Sequence, residues 1–265
     1  PKFKLNRDHG DILEIPDMTA LITSLIKNQP ILTNTIVKVE KPNDPITSNR
    51  LSVHSPVSID IYDSIGNHTG LVSTAGDFQI LEEQIPNSTY MEFGEGKYIS
   101  VPSSGSYNVV IKGTGLGEFD LELEEGTDGD YSGGPIYSDI PVNPNTIATL
   151  TFTDAGTSAL KLDIDGDGTI DATIPQGYTL SASSLLDILE YNISQLDIPR
   201  KLAKKFDKKI ELVRKAITKQ KVKNADRRLG GLVGLIKSSV EKKSVTFEQG
   251  EALMGLINQI KLAIK

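Results

Sequence analysis

The apolar residues of this 265-residue chain change their period near residue 180, and that change limits the folds open to it. From about 35 to 180 apolar and polar residues alternate. In "RLSVHSPVSIDIYDSIGNHTG", Val57, Ile59 and Ile61 share one face, and "SIGN" marks a turn. "KYISVPSSGSYNVVIKGTGLGEFDLELEE" adds two or three strands joined by Gly/Ser turns, and "IPVNPNTIATLTF" and "ALKLDIDG" continue the pattern. Short strands with turn signals and no helices between them predict an antiparallel β-sandwich. The stretch "EEGTDGDYSGGPIYSDIP" reads as its longest loop.

From about 183 onward the period is 3.6. Leu202, Phe206, Ile210, Val213 and Ile217 form one helical stripe, and Leu229, Leu232, Val233, Ile236 and Val240 form another. "VTFEQGEALMGLINQIKLAIK" opens with a capping box, Thr246 with Gln249, and carries Leu253, Leu256, Ile257 and Ile260. With "SSLLDILEYNISQL" these segments predict a three- or four-helix bundle. At the other end, Ile15, Met18, Leu21, Ile22 and Leu25 recur at helical spacing behind Pro16. The expected organisation is an N-terminal loop and helix (1–34), a β-sandwich (35–180) and a basic helical bundle (181–265).

The chain has no cysteine, which excludes disulfides, thiolate catalysis and Cys-based zinc sites. Its apolar runs fall short of the ~18 residues that a membrane-spanning helix needs. It starts at Pro1, so a processed product or a fragment is expected, with any signal peptide upstream. The net charge of −7 hides an asymmetry. Between Arg200 and Lys243 there are 16 Lys/Arg against 4 Asp/Glu, about +12, which leaves about −19 elsewhere.

The sharpest motif is "KLDIDGDGTIDATI". Asp163, Asp165, Asp167 and Gly168 match positions 1, 3, 5 and 6 of a calcium loop. Thr169 could add a backbone carbonyl, and Asp171 a side chain directly or through water. Gly166 and Gly168 permit the positive φ values of such a turn. Position 12 is Ile174 rather than a bidentate Glu, and no helix flanks the loop, so an EF-hand is not expected. The loop resembles Asp-rich calcium loops between β-strands of extracellular proteins. A polar Asx-rich turn without metal is the alternative. A catalytic metal would need an open position beside a base or nucleophile, and none is evident nearby.

Three histidines rule out His-rich metal sites. His54 lies in an alternating strand and His68 in an expected hairpin turn, both read as structural or exposed. "NRDHGDILEIPDMTALITSLIK" resembles the C-terminal end of α/β-hydrolases of the lipase and esterase type. That resemblance implies His9 as the base of a Ser-His-Asp triad. No G-x-S-x-G elbow occurs in the chain, so the nucleophile and acid would lie upstream. Otherwise Asp8 and His9 are an exposed pair before a helix. "GTGLG" lies between strands with no helix behind it to bind phosphate. Sequons at Asn67, Asn87 and Asn192 are about what chance supplies.

"YISVPSSGSYNVVIKGTGLGEFDLELEE" resembles the pre-peptidase C-terminal β-sandwich modules of secreted hydrolases, and the likeness extends over 50–175. The helical tail is similar in pattern to FIVAR-type bundles of bacterial surface proteins. These resemblances imply a noncatalytic accessory region, secreted or at the cell surface, without identifying a ligand. On the tail, Lys201, Lys204, Lys205, Lys208, Lys209, Arg214 and Lys215 lie away from the apolar stripe. They are a solvated face, or a surface for an anionic polymer, a membrane surface or the acidic β-region of another copy. Nucleic acid is disfavoured, since no aromatics interleave with the charges. Two functions are therefore expected: a calcium-stabilised interaction module, or the tail of a secreted serine hydrolase completed by His9.

Overall fold

The computed structural model describes residues 47–54, 56–73, 79–127 and 129–265, with Thr23 and Lys27. Pro1–Pro45 and Ile46–Lys265 form two units. The expected N-terminal helix falls largely, and His9 wholly, outside the described residues.

In chain order the first strands are β1 (Thr47–His54), β2 (Val57–Asp63), β3 (His68–Ser73), β4 (Gln79–Glu83), β5 (Thr89–Phe93), β6 (Gly96–Pro102) and β7 (Ser106–Gly113). They are followed by β8 (Gly117–Thr127), β9 (Asp130–Ser132), β10 (Ile136–Val142), β11 (Ile147–Thr153), β12 (Gly156–Thr157), β13 (Leu160–Asp163) and β14 (Ala172–Ile174). Four helices close the described chain: α1 (Ala182–Ser194), α2 (Arg200–Thr218), α3 (Val222–Glu241) and α4 (Phe247–Ala263).

The strands make two antiparallel sheets. One has the order β10-β8-β1-β6-β5, with β9 on β8. The other has the order β14-β13-β11-β7-β2-β3-β4, with β12 on β11. The result is a mixed β plus α fold. Its period-two pattern translates directly into burial: Val57, Ile59 and Ile61 of β2, Tyr107, Val109 and Ile111 of β7, and Phe119 and Leu121 of β8 are all buried. Tyr107 stacks on Phe152 of β11 with ring centroids 5.0 Å apart. One apolar core runs from these strands into the helices, through Leu186 and Leu189 of α1, Phe206 and Ile210 of α2, and Leu253 and Ile257 of α4.

The helix ends follow from local chemistry. Ser181 caps α1 by accepting from Ser184 N, and the Thr246–Gln249 capping box forms at α4 in both directions. Pro199 precedes α2, where its missing N–H costs nothing. Phe206, Ile210 and Val213 face inward, whereas Leu202 and Ile217 at the ends of the same stripe are half-buried.

The stretch read as the longest loop is instead mostly paired strand. β8 runs on to Thr127, and the chain then turns back as β9 and β10, which pair in succession along the edge of β8 away from β1. Charge and aromatic contacts hold it there: Arg50 Nη2 donates to Glu124 Oε2 at 2.7 Å and lies 4.2 Å over the Tyr131 ring. Gly134, at φ +109°, lies so close to the Leu123 carbonyl that a Cβ would meet that oxygen at 1.8 Å. Gly134→Ala is expected to cost about 2 kcal/mol or more, because a left-handed φ costs roughly 1–2 kcal/mol and the clash adds to it. A guanidinium melt whose midpoint falls at constant slope checks this.

Candidate metal centre and buried polar clusters

The aspartate loop joins β13 to β14, and its fold is set by carboxylates receiving backbone N–H groups. Asp163, 5 % exposed, accepts from Gly166 N and Gly168 N, both at 2.8 Å. Asp165 accepts from Asp167 N at 3.2 Å, and Asp167 from Thr169 N at 2.7 Å. Asp171 reaches back to Ile164 N at 2.7 Å. Gly166 and Gly168 take φ values of +75° and +89°, as the expected turn requires.

This wrapping brings one oxygen each from Asp163, Asp165 and Asp171 within 4.8 Å of one another. Two ligands of one calcium ion can stand no farther apart than two Ca–O bonds, about 4.6–5.2 Å, so the trio is spaced to share such an ion. Unit charges this close repel by roughly 1 kcal/mol even in bulk water, and by more at a protein surface. The Gly166 and Gly168 N–H groups offset part of that. Asp167 and Thr169 stand outside the trio.

Asp165 and Asp171 also line a cleft of about 190 Å³ with Asp187 and Tyr191 of α1. Asp187 in turn pairs with Arg214 of α2, which also holds Glu190. The sequence carries no local sign of Asp187, because only the packing of α1 brings it to the loop.

Beneath the loop, a buried polar cluster ties the sheets to α1. Asn143 Nδ2 donates to Ile164 O at 3.0 Å and to Asn192 Oδ1 at 3.1 Å, and Asn143 Oδ1 accepts from Asn145 N at 2.8 Å. Thr146 Oγ1 also donates to Ile164 O, and Asn145 Nδ2 donates to the Tyr191 hydroxyl. Asn192, read in the sequence as one of three sequons, is 4 % exposed and committed to this contact. Asn143→Ala would strand the Asn192 amide oxygen away from water. A loss of about 2–3 kcal/mol is expected, since each unsatisfied buried group costs about 1–3 kcal/mol. Thermal melting checks it, and Asn143→Ala/Asn192→Ala should lose less than the sum of the two single changes.

A second cluster centres on His68, which is not in a turn but opens β3, 6 % exposed. Asp60 of β2, Gly70 of β3 and Glu82 of β4 lie in a row across three strands, and the His68 ring spans the row. Its Nε2 stands 3.0 Å from Asp60 Oδ1 and its Nδ1 2.9 Å from Glu82 Oε2. Both ring nitrogens thus stand within hydrogen-bond distance of a carboxylate oxygen. Lys112 Nζ adds a contact to Asp60 Oδ2 at 3.6 Å, and Tyr62 stacks on the ring at 4.8 Å. Burial, then the Asp60 and Glu82 carboxylates, raise the Tyr62 phenol above its usual range. Gly70 makes the arrangement possible: a Cβ there would lie 2.6 Å from Asp60 Oδ1 and 2.8 Å from His68 Nε2. A glycine inside "HTGLV" was the available signal, since glycine within a strand marks a close approach. His54 ends β1 exposed, edge-on to Tyr98.

No family model, curated protein or solved structure matches the chain. No helix among the described residues is long and apolar enough to cross a membrane.

Proposed function

We propose that this chain is a noncatalytic, calcium-stabilised interaction module: a β-sandwich braced by calcium at its junction with a C-terminal helical bundle that offers a basic docking face. One observation carries the reading, the convergence of Asp163, Asp165 and Asp171 within 4.8 Å on a loop built of backbone N–H to carboxylate contacts. All three are hard oxygen donors, the kind that calcium takes, and nothing soft or nitrogenous stands among them. The ion would bind to Asp163, Asp165 and Asp171, neutralise their mutual repulsion and fix the β13–β14 turn. The Asn143–Asn192 contact then passes that rigidity to α1.

A structural role is favoured because Asp187, the α1 carboxylate lining the same cleft, is engaged by Arg214 rather than poised as a base. A secreted or cell-surface setting fits this reading, since calcium is abundant there. The test is a melt of the full chain in calcium and in EDTA. A drop in EDTA that added calcium reverses supports the module, and coincident melts dismiss it.

A further inference from the structure

We propose that the interaction served by this module is with a second copy of the chain, in a head-to-tail arrangement in which the outward face of α2 docks on the β4–β5 rim of its neighbour. This rests on the module reading above and adds to it the partner and both surfaces.

The charge distribution gives the molecule two poles. Between residues 46 and 199 only 4 Lys/Arg stand against 23 Asp/Glu, whereas between 200 and 243 there are 16 Lys/Arg against 4 Asp/Glu. Along α2, Lys201, Lys205, Lys208 and Lys215, with Lys219 at its C-cap, recur at helical spacing on the side opposite Phe206, Ile210 and Val213, and all are exposed. Leu212, 43 % exposed, sits in their midst. The stripe is about 27 Å long at 1.5 Å per residue. Lys201, Lys205, Lys208 and Lys219 make no ion pair among the described residues, and Lys215 meets only Glu211 of its own helix.

The opposite pole has the complementary character. β4 and β5 are the terminal strands of their sheets, and each leaves one edge without a strand partner among the described residues. Their exposed residues are apolar and acidic: Ile80, Met91 and Phe93 at 53, 58 and 79 % exposure, beside Glu83, Glu92 and Glu95. From residue 79 to 95 there is no Lys or Arg. An edge of this kind is a ready site for association, and its glutamates oppose pairing with its own kind. A lysine face with an apolar centre answers both its charge and its exposed Phe93 and Met91.

Within one chain no ion pair joins these lysines to the rim glutamates among the described residues. The helices meet the first sheet at β8, through α4 and the 2.5 Å contact of Gln259 with Glu118, while β5 lies three strands away. At about 4.8 Å per strand that is roughly 14 Å. Two different, complementary surfaces on one molecule give a heterologous contact, which repeats along a series of copies.

The experiment is sedimentation velocity on the full chain over a concentration series, at low and high salt, with two variants: Lys205→Glu/Lys208→Glu on the helix and Met91→Ser/Phe93→Ser on the rim. The unaltered chain should form a concentration-dependent series of oligomers that high salt disperses, as screening shortens electrostatic reach. Each variant alone should stay monomeric. Mixed together, they should form a dimer and nothing larger, because one retains the rim and the other the helix face. A chain monomeric at every concentration overturns the proposal, and so does association that survives the helix variant, which would mean rim-to-rim pairing. A polyphosphate titration run alongside separates the two levels. Monomers that bind polyphosphate through α2 refute the second copy while leaving an interaction module, and the calcium melt is read independently of either.

Discussion

Replacing His68 with leucine is expected to cost about 3 kcal/mol, because a buried group left without its hydrogen-bond partner costs about 1–3 kcal/mol, and more when it is charged. The ring contacts both Asp60 and Glu82, and the Asp60 side chain is 9 % exposed. With leucine there, Asp60 retains, among the described residues, only Lys112 at 3.6 Å, whose own side chain is half exposed, and the Glu82 carboxylate faces it across Gly70. Denaturant unfolding measures the loss. Removing the stranded charge as well, in His68→Leu/Asp60→Leu, should recover a large part of it, because a buried apolar pair is tolerated better than a buried lone carboxylate. A single-variant loss below about 1 kcal/mol would place the cluster among solvated surface pairs and refute its role in holding β4 to β2 and β3.

The second large effect is that of calcium. At a free concentration one hundred times its dissociation constant, a ligand binding only the folded state stabilises by about 2.7 kcal/mol. For a unit of this size about 2–4 °C accompanies each kcal/mol, so melting in EDTA should occur about 5–10 °C below melting in saturating calcium. Removing Asp163 would confound the test, since its two oxygens also hold Gly166 N and Gly168 N. Asp165→Asn/Asp171→Asn is cleaner. An amide oxygen can still accept from Asp167 N and Ile164 N, while two of the three converging charges disappear. This variant should melt in EDTA no lower than the unaltered chain, because less repulsion remains, and should gain nothing from calcium. A variant that still gains the full calcium increment would move the ion elsewhere.

How far such features could be read from the sequence depended on how local their causes were. The alternation of Val57, Ile59 and Ile61, the stripe through Phe206, Ile210 and Val213, and the Thr246–Gln249 capping box need only neighbours within a turn or two, and each appears where expected. The aspartate loop is equally local: every N–H its carboxylates receive comes from within seven residues. Pairing is different. β1 lies between β6 and β8 in one sheet while β2 pairs with β7 in the other, and this exchange depends on contacts about 40 to 80 residues apart. The 124–141 stretch looked like a loop because its glycines are turn residues by composition. Only Arg50, far upstream, shows why they serve strand packing instead. Asn192 belongs to the same class, since its sequon is visible in three residues and its buried bond to Asn143 spans 49.

The most direct test of the calcium-braced junction is a calorimetric titration of calcium into the chelator-treated full chain. The account predicts one calcium bound per chain, with binding abolished in Asp165→Asn/Asp171→Asn. Absence of binding up to about ten millimolar calcium, beyond the weakest range of extracellular calcium modules, would contradict it.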